Sequence, residues 1–146
     1  MTLKQYTYCT SMKDINTVFT ERLDDISSNL KESNYRVCDK IAHDLVNLAW
    51  NLELKDEVFI SEILESIFMN LSVTIDGYEV PEDKAKELKD QMIKLMQPLR
   101  DAYKNKNSTS LYNTLKELRY CATFHQLTAW QKYRPTSRRK FLMERE

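Results

Sequence analysis

Apolar residues recur every three or four positions along most of the chain, which is the spacing of one face of an α-helix. The pattern predicts five amphipathic helices, over residues 12–30, 34–52, 57–75, 81–106 and 109–133. Hairpin turns of the Asn-Gly type are absent, which argues against a β-barrel or a β-sandwich. The predicted fold is therefore all-α, a single compact bundle of about five helices over residues 1–134, followed by a basic tail over residues 135–146.

Local signals place the ends of these helices. Ser11, Ser33 and Ser108 are predicted N-caps, because a serine hydroxyl accepts a hydrogen bond from the first free backbone amides of a helix. Pro81 fits the first turn of the fourth helix, after a turn over residues 76–81. Pro98 lies inside that helix, and because proline has no amide hydrogen to donate, we expect a kink or a break there.

The fifth predicted helix is apolar on two sides. One face carries a regular core stripe of Leu and Ala together with His125. The opposite face carries Tyr120, Phe124 and Leu127. A helix with two apolar faces either lies at the centre of its bundle or binds a partner outside it. We therefore assign Trp50, Tyr120, Phe124, Leu127 and Trp130 to a candidate partner interface, Trp50 from a narrow second stripe on the second helix.

Glycine occurs only once among the 146 residues, as Gly77. A phosphate-binding P-loop, a dinucleotide fingerprint and a nucleophile elbow each need at least two glycines at fixed spacing. The composition therefore excludes the glycine-dependent forms of nucleotide binding and of serine hydrolysis.

Charge is balanced overall but not along the chain. Residues 1–99 hold 11 Lys or Arg and 18 Asp or Glu, whereas residues 100–146 hold 11 Lys or Arg and 4 Asp or Glu. An acidic body with a basic end indicates head-to-tail self-association or a polyanionic partner.

Three cysteines, Cys9, Cys38 and Cys121, show no Cys-x-x-Cys spacing. An odd number of unpaired cysteines, together with the lack of a signal-like or membrane-spanning apolar run, predicts a cytoplasmic protein with reduced thiols and no membrane partner.

Histidines suggest two weak chemical sites. Asp39 and His43 lie one helical turn apart and offer two metal ligands, fewer than a site needs. Arg119 and His125, with five residues between them, match the Arg-x(4–6)-His spacing of HEPN-type ribonucleases, in which these residues meet at a dimer interface and cut RNA without a metal. We assign no catalytic residue, no metal and no cofactor, and keep this ribonuclease as an alternative.

Basic and aromatic residues alternate at the end of the chain. Basic side chains neutralise phosphates, and exposed rings stack on bases. The rings of the fifth helix, already assigned to the candidate partner interface, are available for such stacking. The candidate nucleic-acid contacts are Arg36, Arg119, Lys132, Arg134, Arg138, Arg139 and Lys140.

Residues 120–133 resemble the C-terminal helix of the small subunit of type III-A CRISPR effector complexes, in which an aromatic, an alanine, a second aromatic and a Lys-Tyr pair follow one another. Residues 96–101, Met-Gln-Pro-Leu-Arg-Asp, are similar to a second stretch of that family, and the segment from Ser33 to Arg36 is a shorter match. The resemblance implies a non-catalytic helical protein whose copies stack inside a ribonucleoprotein filament.

In that family the small subunit contacts the backbone phosphates of the guide–target RNA duplex. The matching positions here are Arg36, Lys132 and Arg134. Arg119 and the cluster Arg138, Arg139 and Lys140 come from the charge pattern alone. Three hypotheses follow for testing: a ribonucleoprotein assembly subunit that binds RNA and other protein subunits, a HEPN-like ribonuclease, and a helical adaptor that binds protein only.

Overall fold

The computed structural model describes residues 14–136, and these form five α-helices joined by short connections. The helices are α1 (Ile15–Lys31), α2 (Tyr35–Asn51), α3 (Lys55–Gly77), α4 (Glu82–Lys104) and α5 (Ser108–Lys132). The predicted all-α bundle of five helices is confirmed. Ser11, Met12 and the basic cluster Arg138, Arg139 and Lys140 lie outside the described residues.

The helices close into a ring in the order α1–α2–α3–α5–α4, so that each packs against two others. Short loops make sequential helices antiparallel, but a ring with an odd number of members needs at least one parallel pair. That pair is α3 and α5, which are not consecutive in the chain and which both end at the same end of the bundle. Most of the buried side chains inside the ring form one cluster, with Phe19, Phe68 and Met92 among its largest members.

The predicted helix ends are off by one to three residues, and all three predicted serine caps are wrong. The N-cap of α1 is Asp14, whose side chain accepts from the Asn16 amide at 3.1 Å. Asn34 and Asn107, not Ser33 and Ser108, precede α2 and α5, and the Asn107 side chain accepts from the Ser110 amide at 3.2 Å. Pro81 is the residue before α4 rather than part of its first turn. The predicted turn at residues 76–77 is instead the last turn of α3.

Helix α4 continues through Pro98, so the helix is not broken there. The kink that the proline predicts stays a prediction. A side-chain bond from Gln97 to Asp101, at 3.0 Å, spans the turn that contains the proline.

A short clasp joins the ends of α3 and α5. It consists of residues 76–79 and 134–136, with an isolated antiparallel bridge between Tyr78 and Pro135. The Glu79 amide donates to the Arg134 carbonyl at 2.8 Å, and the Thr136 amide donates to the Gly77 carbonyl at 3.0 Å. The clasp holds the chain after α5 against the bundle, including the first two residues of the segment predicted as a tail.

Helix α3 is the most apolar of the five. By length and composition alone it is able to cross a membrane, with a mean hydropathy of 1.5 over 18 residues. The core helix of a water-soluble bundle has the same properties, and α3 packs between α2 and α5 with Leu64, Ile67 and Leu71 in the core.

Candidate nucleic-acid and partner interfaces

Three of the predicted nucleic-acid contacts lie at one end of the bundle. Arg36 is in the first turn of α2, Lys132 is the last residue of α5, and Arg134 belongs to the clasp. Arg36 Nε lies 3.0 Å from Asp76 Oδ2, and the Asp76 carbonyl accepts from the Thr136 hydroxyl at 2.9 Å. The fold thus gathers residues from distant parts of the chain into one region, which we call the basic end.

The three cations differ in how they are engaged. Lys132 and Arg134 are exposed and form no ion pair with any residue in the range 14–136. The Arg36 side chain is 65% exposed and is paired with Asp76. An exposed pair of this kind stabilises a fold by only about 0–1 kcal/mol, so phosphate oxygens compete readily for the guanidinium.

The basic end also contains acidic groups. Asp76, Glu79, Glu82 and Asp83 lie in or beside the α3–α4 connection. By contrast, residues 132–140 hold five basic residues and no acidic one. Among the described residues, Lys132 and Arg134 supply the positive charge on the α5 side of this end.

Arg119 is not part of the basic end. It lies thirteen residues before Lys132 on α5, which at 1.5 Å per residue is about 20 Å along the helix axis. Its side chain is exposed, and helical spacing puts it on the same flank of α5 as Tyr112, which packs against Phe59 of α3. The structure therefore separates Arg119 from Arg36, Lys132 and Arg134.

The second apolar side of α5 is exposed to solvent. Tyr120 is 72% exposed and Trp130 68% exposed, and Phe124 and Leu127 lie between them with more than half of their surface accessible. The Tyr120 and Phe124 rings stack with centroids 6.3 Å apart. Helical spacing places these side chains in one continuous strip along the outside of α5.

The apolar strip extends to α3, which the periodicity alone did not assign to an interface. Phe59, Met69 and Val73 are exposed on α3, and the Phe59 ring packs edge-on against Tyr112 of α5 at 5.8 Å. We call the combined surface the α3–α5 face; its large apolar members are Phe59, Met69, Val73, Tyr112, Tyr120, Phe124, Leu127 and Trp130. The periodicity of α3 already contained this pattern, because Met69 and Val73 lie opposite its core stripe and Phe59 lies beside it.

Trp50 lies elsewhere. It is 60% exposed near the end of α2, and its indole Nε1 donates to Glu62 Oε1 on α3 at 3.2 Å. Helix α2 flanks α3 on the side away from α5. Trp50 is therefore at the margin of the α3–α5 face rather than within its strip of rings.

A shallow groove of about 680 Å³ separates α4 from α5 and contains Gln91, Tyr120 and Cys121. Gln91 Oε1 accepts from the Cys121 thiol at 3.2 Å and lies 3.0 Å from His125 Nε2. An amide oxygen only accepts, so Nε2 carries the ring proton in this arrangement.

Burial shifts the pKa values of both titrating groups that border this groove. It raises the pKa of the Cys121 thiol to about 11, which keeps the thiol protonated and a poor nucleophile near neutral pH. Burial also lowers the pKa of His125, with Lys84 adding to the effect and Glu87 opposing it.

The two residues of the ribonuclease alternative lie on different flanks of α5. His125 is turned toward α4, where it meets Gln91, whereas Arg119 is on the flank of α5 that carries Tyr112, the residue in contact with α3. The two side chains therefore do not converge on one pocket within a single chain.

Asp39 and His43 lie on α2 beside Glu65 of α3. His43 Nδ1 is 2.5 Å from Glu65 Oε2, and burial together with Glu65 raises the pKa of Asp39. Across residues 14–136, no group of three or more His, Cys, Asp or Glu side chains has the arrangement to hold a metal ion. The close histidine–carboxylate contact is an interhelical polar pair between α2 and α3.

Comparison of the chain with protein-family models, with curated proteins and with solved structures finds no match.

Proposed function

We propose that this protein is a non-catalytic helical subunit of a ribonucleoprotein assembly, which contacts RNA phosphates through its basic end and other protein through its α3–α5 face. The single observation that carries the RNA part is the gathering of Arg36, Lys132 and Arg134 at one end of the bundle. The sequence continues from there directly into Arg138, Arg139 and Lys140.

Phosphate contact is the form of binding that these groups support. Lys and Arg neutralise phosphates and release the counterions condensed on the nucleic acid, which requires neither a pocket nor base-specific hydrogen bonds. A double-stranded RNA presents regularly spaced phosphates and 2′-hydroxyls, and proteins recognise it largely by shape. We therefore expect binding that tolerates any sequence and weakens steeply with salt.

The test is a titration of fluorescent RNA, single-stranded and duplex, against the full chain over a range of salt concentrations. The variant Lys132→Gln with Arg134→Gln removes two cations of the basic end that have no carboxylate partner within residues 14–136. If both side chains neutralise a phosphate, the slope of log affinity against log salt falls by about 0.7–0.9 for each of them.

A matched control removes the same charge from the opposite end of the bundle. Lys55 begins α3 and Lys104 ends α4, both are exposed, and both lie far from the basic end. Lys55→Gln with Lys104→Gln leaves the salt slope unchanged if the basic end is the site. Equal effects in the two double variants, or no RNA binding at low salt, would show that the basic end has no specific role.

The same titration tests the ribonuclease alternative. Cleavage of the RNA that persists in EDTA and is abolished in His125→Ala would replace a non-catalytic subunit with an enzyme. Intact RNA in a gel readout supports the proposal.

The α3–α5 face favours a second candidate, a helical adaptor that binds protein only. Exposed apolar patches of this kind on water-soluble proteins mark sites of protein association. An adaptor would bind a protein in fixed stoichiometry and ignore polyanions, so the RNA titration separates the two candidates.

A further inference from the structure

We infer that the α3–α5 face binds the same face of a second copy of this chain, as a two-fold symmetric dimer. This extends the proposed assembly role by naming the partner, and it rests on that role. Three properties of the surface support the dimer: the number of apolar patches, the area they offer, and the charges within them.

The described surface has one large apolar patch. Of the ten large hydrophobic residues exposed within residues 14–136, eight belong to the α3–α5 face, and only Val37 and Trp50 lie on another helix. Head-to-tail association joins two different surfaces, whereas a two-fold dimer uses one surface twice. A single apolar patch within residues 14–136 therefore fits the two-fold arrangement, whereas the head-to-tail contact predicted from the charge distribution stays an untested alternative.

The area of the face is in the range of a stable dimer. Aromatic side chains present about 150–250 Å² each, so the five rings of the face, with a third to nearly three quarters of each exposed, offer on the order of 550 Å². Met69, Val73 and Leu127 bring the total to at most roughly 800 Å², because Tyr120 also borders the groove against α4. This upper value is about what each partner buries in an interface of standard size.

The two helices of the face are parallel and level with each other. The Phe59–Tyr112 contact sets α3 residue n beside α5 residue n + 53. Glu62 of α3 is therefore level with residue 115, next to Lys116, and Val73 is level with residue 126, next to Leu127. Glu62, Lys116 and Arg119 are all exposed. Glu62 Oε1 also accepts from the Trp50 indole, which leaves its other carboxylate oxygen for a basic partner, and Lys116 also borders the groove between α4 and α5.

These levels make the face complementary to itself. A two-fold axis parallel to the helices places α3 of one copy over α5 of the other, at the same height and in the same direction. Val73 then meets Leu127, Met69 meets Phe124, and Glu62 meets Lys116, each contact occurring twice. An axis perpendicular to the helices would instead set α3 on α3 and α5 on α5, leaving Glu62 without a basic partner.

Sedimentation equilibrium of the full chain over a concentration series tests the inference. The wild-type protein is expected to reach a limiting mass of two chains. Phe124→Asp with Leu127→Asp places charge at the centre of the face and is expected to weaken the dimer by about 30-fold or more, as truncation at the centre of an interface does. Val37→Asp, at an exposed apolar site on α2, is the control. Its dimer is expected to have the same dissociation constant as the wild-type dimer.

A charge exchange tests the pairing itself. Lys116→Glu sets two carboxylates against each other and is expected to raise the dissociation constant of the dimer about tenfold. Adding Glu62→Lys to this variant is expected to restore the wild-type dissociation constant. Lys40→Glu, on α2, is the control for a charge reversal outside the face. Failure of the double variant to restore the dimer would overturn the two-fold arrangement.

Two further outcomes would overturn the inference, and they are distinct from failure of the proposed function. A monomer at every concentration, or oligomers that grow without limit as concentration rises, excludes the two-fold dimer whatever the RNA titration shows. A dimer whose RNA binding is insensitive to Lys132→Gln with Arg134→Gln supports the inference and removes the RNA role. Circular dichroism and thermal unfolding of each variant confirm that the bundle is intact.

Discussion

Arg36 lies forty positions before Asp76 in the sequence, yet its guanidinium Nε is 3.0 Å from the Asp76 carboxylate. The pair neutralises one of the three cations of the basic end. A phosphate that binds Arg36 therefore displaces this carboxylate or shares the guanidinium with it. Pairing of this kind was outside the reach of the sequence, because it depends on how the ends of α2 and α3 meet.

We predict that Asp76→Asn tightens RNA binding. The change frees the Arg36 guanidinium and adds one net positive charge, so affinity at low salt rises severalfold and the salt slope steepens by up to about 0.9, the value for one phosphate contact. The measurement is a fluorescent RNA titration over a range of salt concentrations. The pair is exposed, so its removal lowers the free energy of unfolding by no more than about 1 kcal/mol.

Asp101→Asn is the matched control for this prediction. Asp101 pairs with Arg100 and Gln97 on α4, toward the opposite end of the bundle, so this change adds the same charge outside the basic end. Equal gains in the two variants would mean that only net charge matters, and no gain in Asp76→Asn would remove Arg36 from the RNA site.

At the scale of the helices, three of the five end in the same unusual way. Ser33, Glu53 and Lys106 have positive φ angles of 62°, 56° and 56°. After α1, the amides of Ser33 and Asn34 donate to the carbonyls of Leu30 and Asn29, which is the bond pattern of a Schellman motif. The ends of α2 and α4 repeat the pattern.

Glycine normally occupies the left-handed position of this motif, because a side chain there costs about 1–2 kcal/mol. We predict that Glu53→Gly and Lys106→Gly each raise the free energy of unfolding by about 0.5–1 kcal/mol, after the greater flexibility of glycine in the unfolded chain is subtracted. Urea unfolding followed by circular dichroism measures the change.

The control is the same substitution where φ is helical. Lys40→Gly, at an exposed position within α2, is expected to lower the free energy of unfolding by about 1 kcal/mol. Destabilisation by glycine at residues 53 and 106 as well would contradict the conformational argument.

The same helix ends explain which local predictions were wrong. Hydrophobic spacing located all five helices, because core burial follows the helical period. Ser33 was wrongly predicted as an N-cap because a helix stop without glycine gives no strong sequence signal. The turn predicted from Asp76 and Gly77 was also misplaced, since α3 continues to Gly77 and the clasp holds the chain beyond it.

At the scale of the whole molecule, the order of helices in the ring was beyond prediction from the sequence. Periodicity shows which side of a helix is buried but not which helix covers it. The second apolar side of α5 was predicted from that periodicity. The exposed apolar residues of α3 join this surface only because α3 packs beside α5, which periodicity does not show. The convergence of Arg36 with Arg134 depends on the same long-range packing.

A two-fold axis parallel to α3 and α5 has a consequence for RNA binding by the whole dimer. Both basic ends lie on the same side of the dimer, because rotation about that axis does not invert the helices. An RNA long enough to reach both ends binds the second one at a high effective concentration. We predict that affinity rises with RNA length by about 10²-fold or more, in the range that two linked contacts produce.

This gain depends on the dimer and not on net charge. At protein concentrations below the dimer dissociation constant of Lys116→Glu, this variant is expected to bind short and long RNAs with similar affinity. The double variant Glu62→Lys with Lys116→Glu has the wild-type net charge and a restored interface, so the advantage of long RNA returns. Titration of a length series against all three proteins makes the comparison. Equal length dependence in the single variant and the wild type would mean that one basic end binds alone and that the dimer does not join two ends on one RNA.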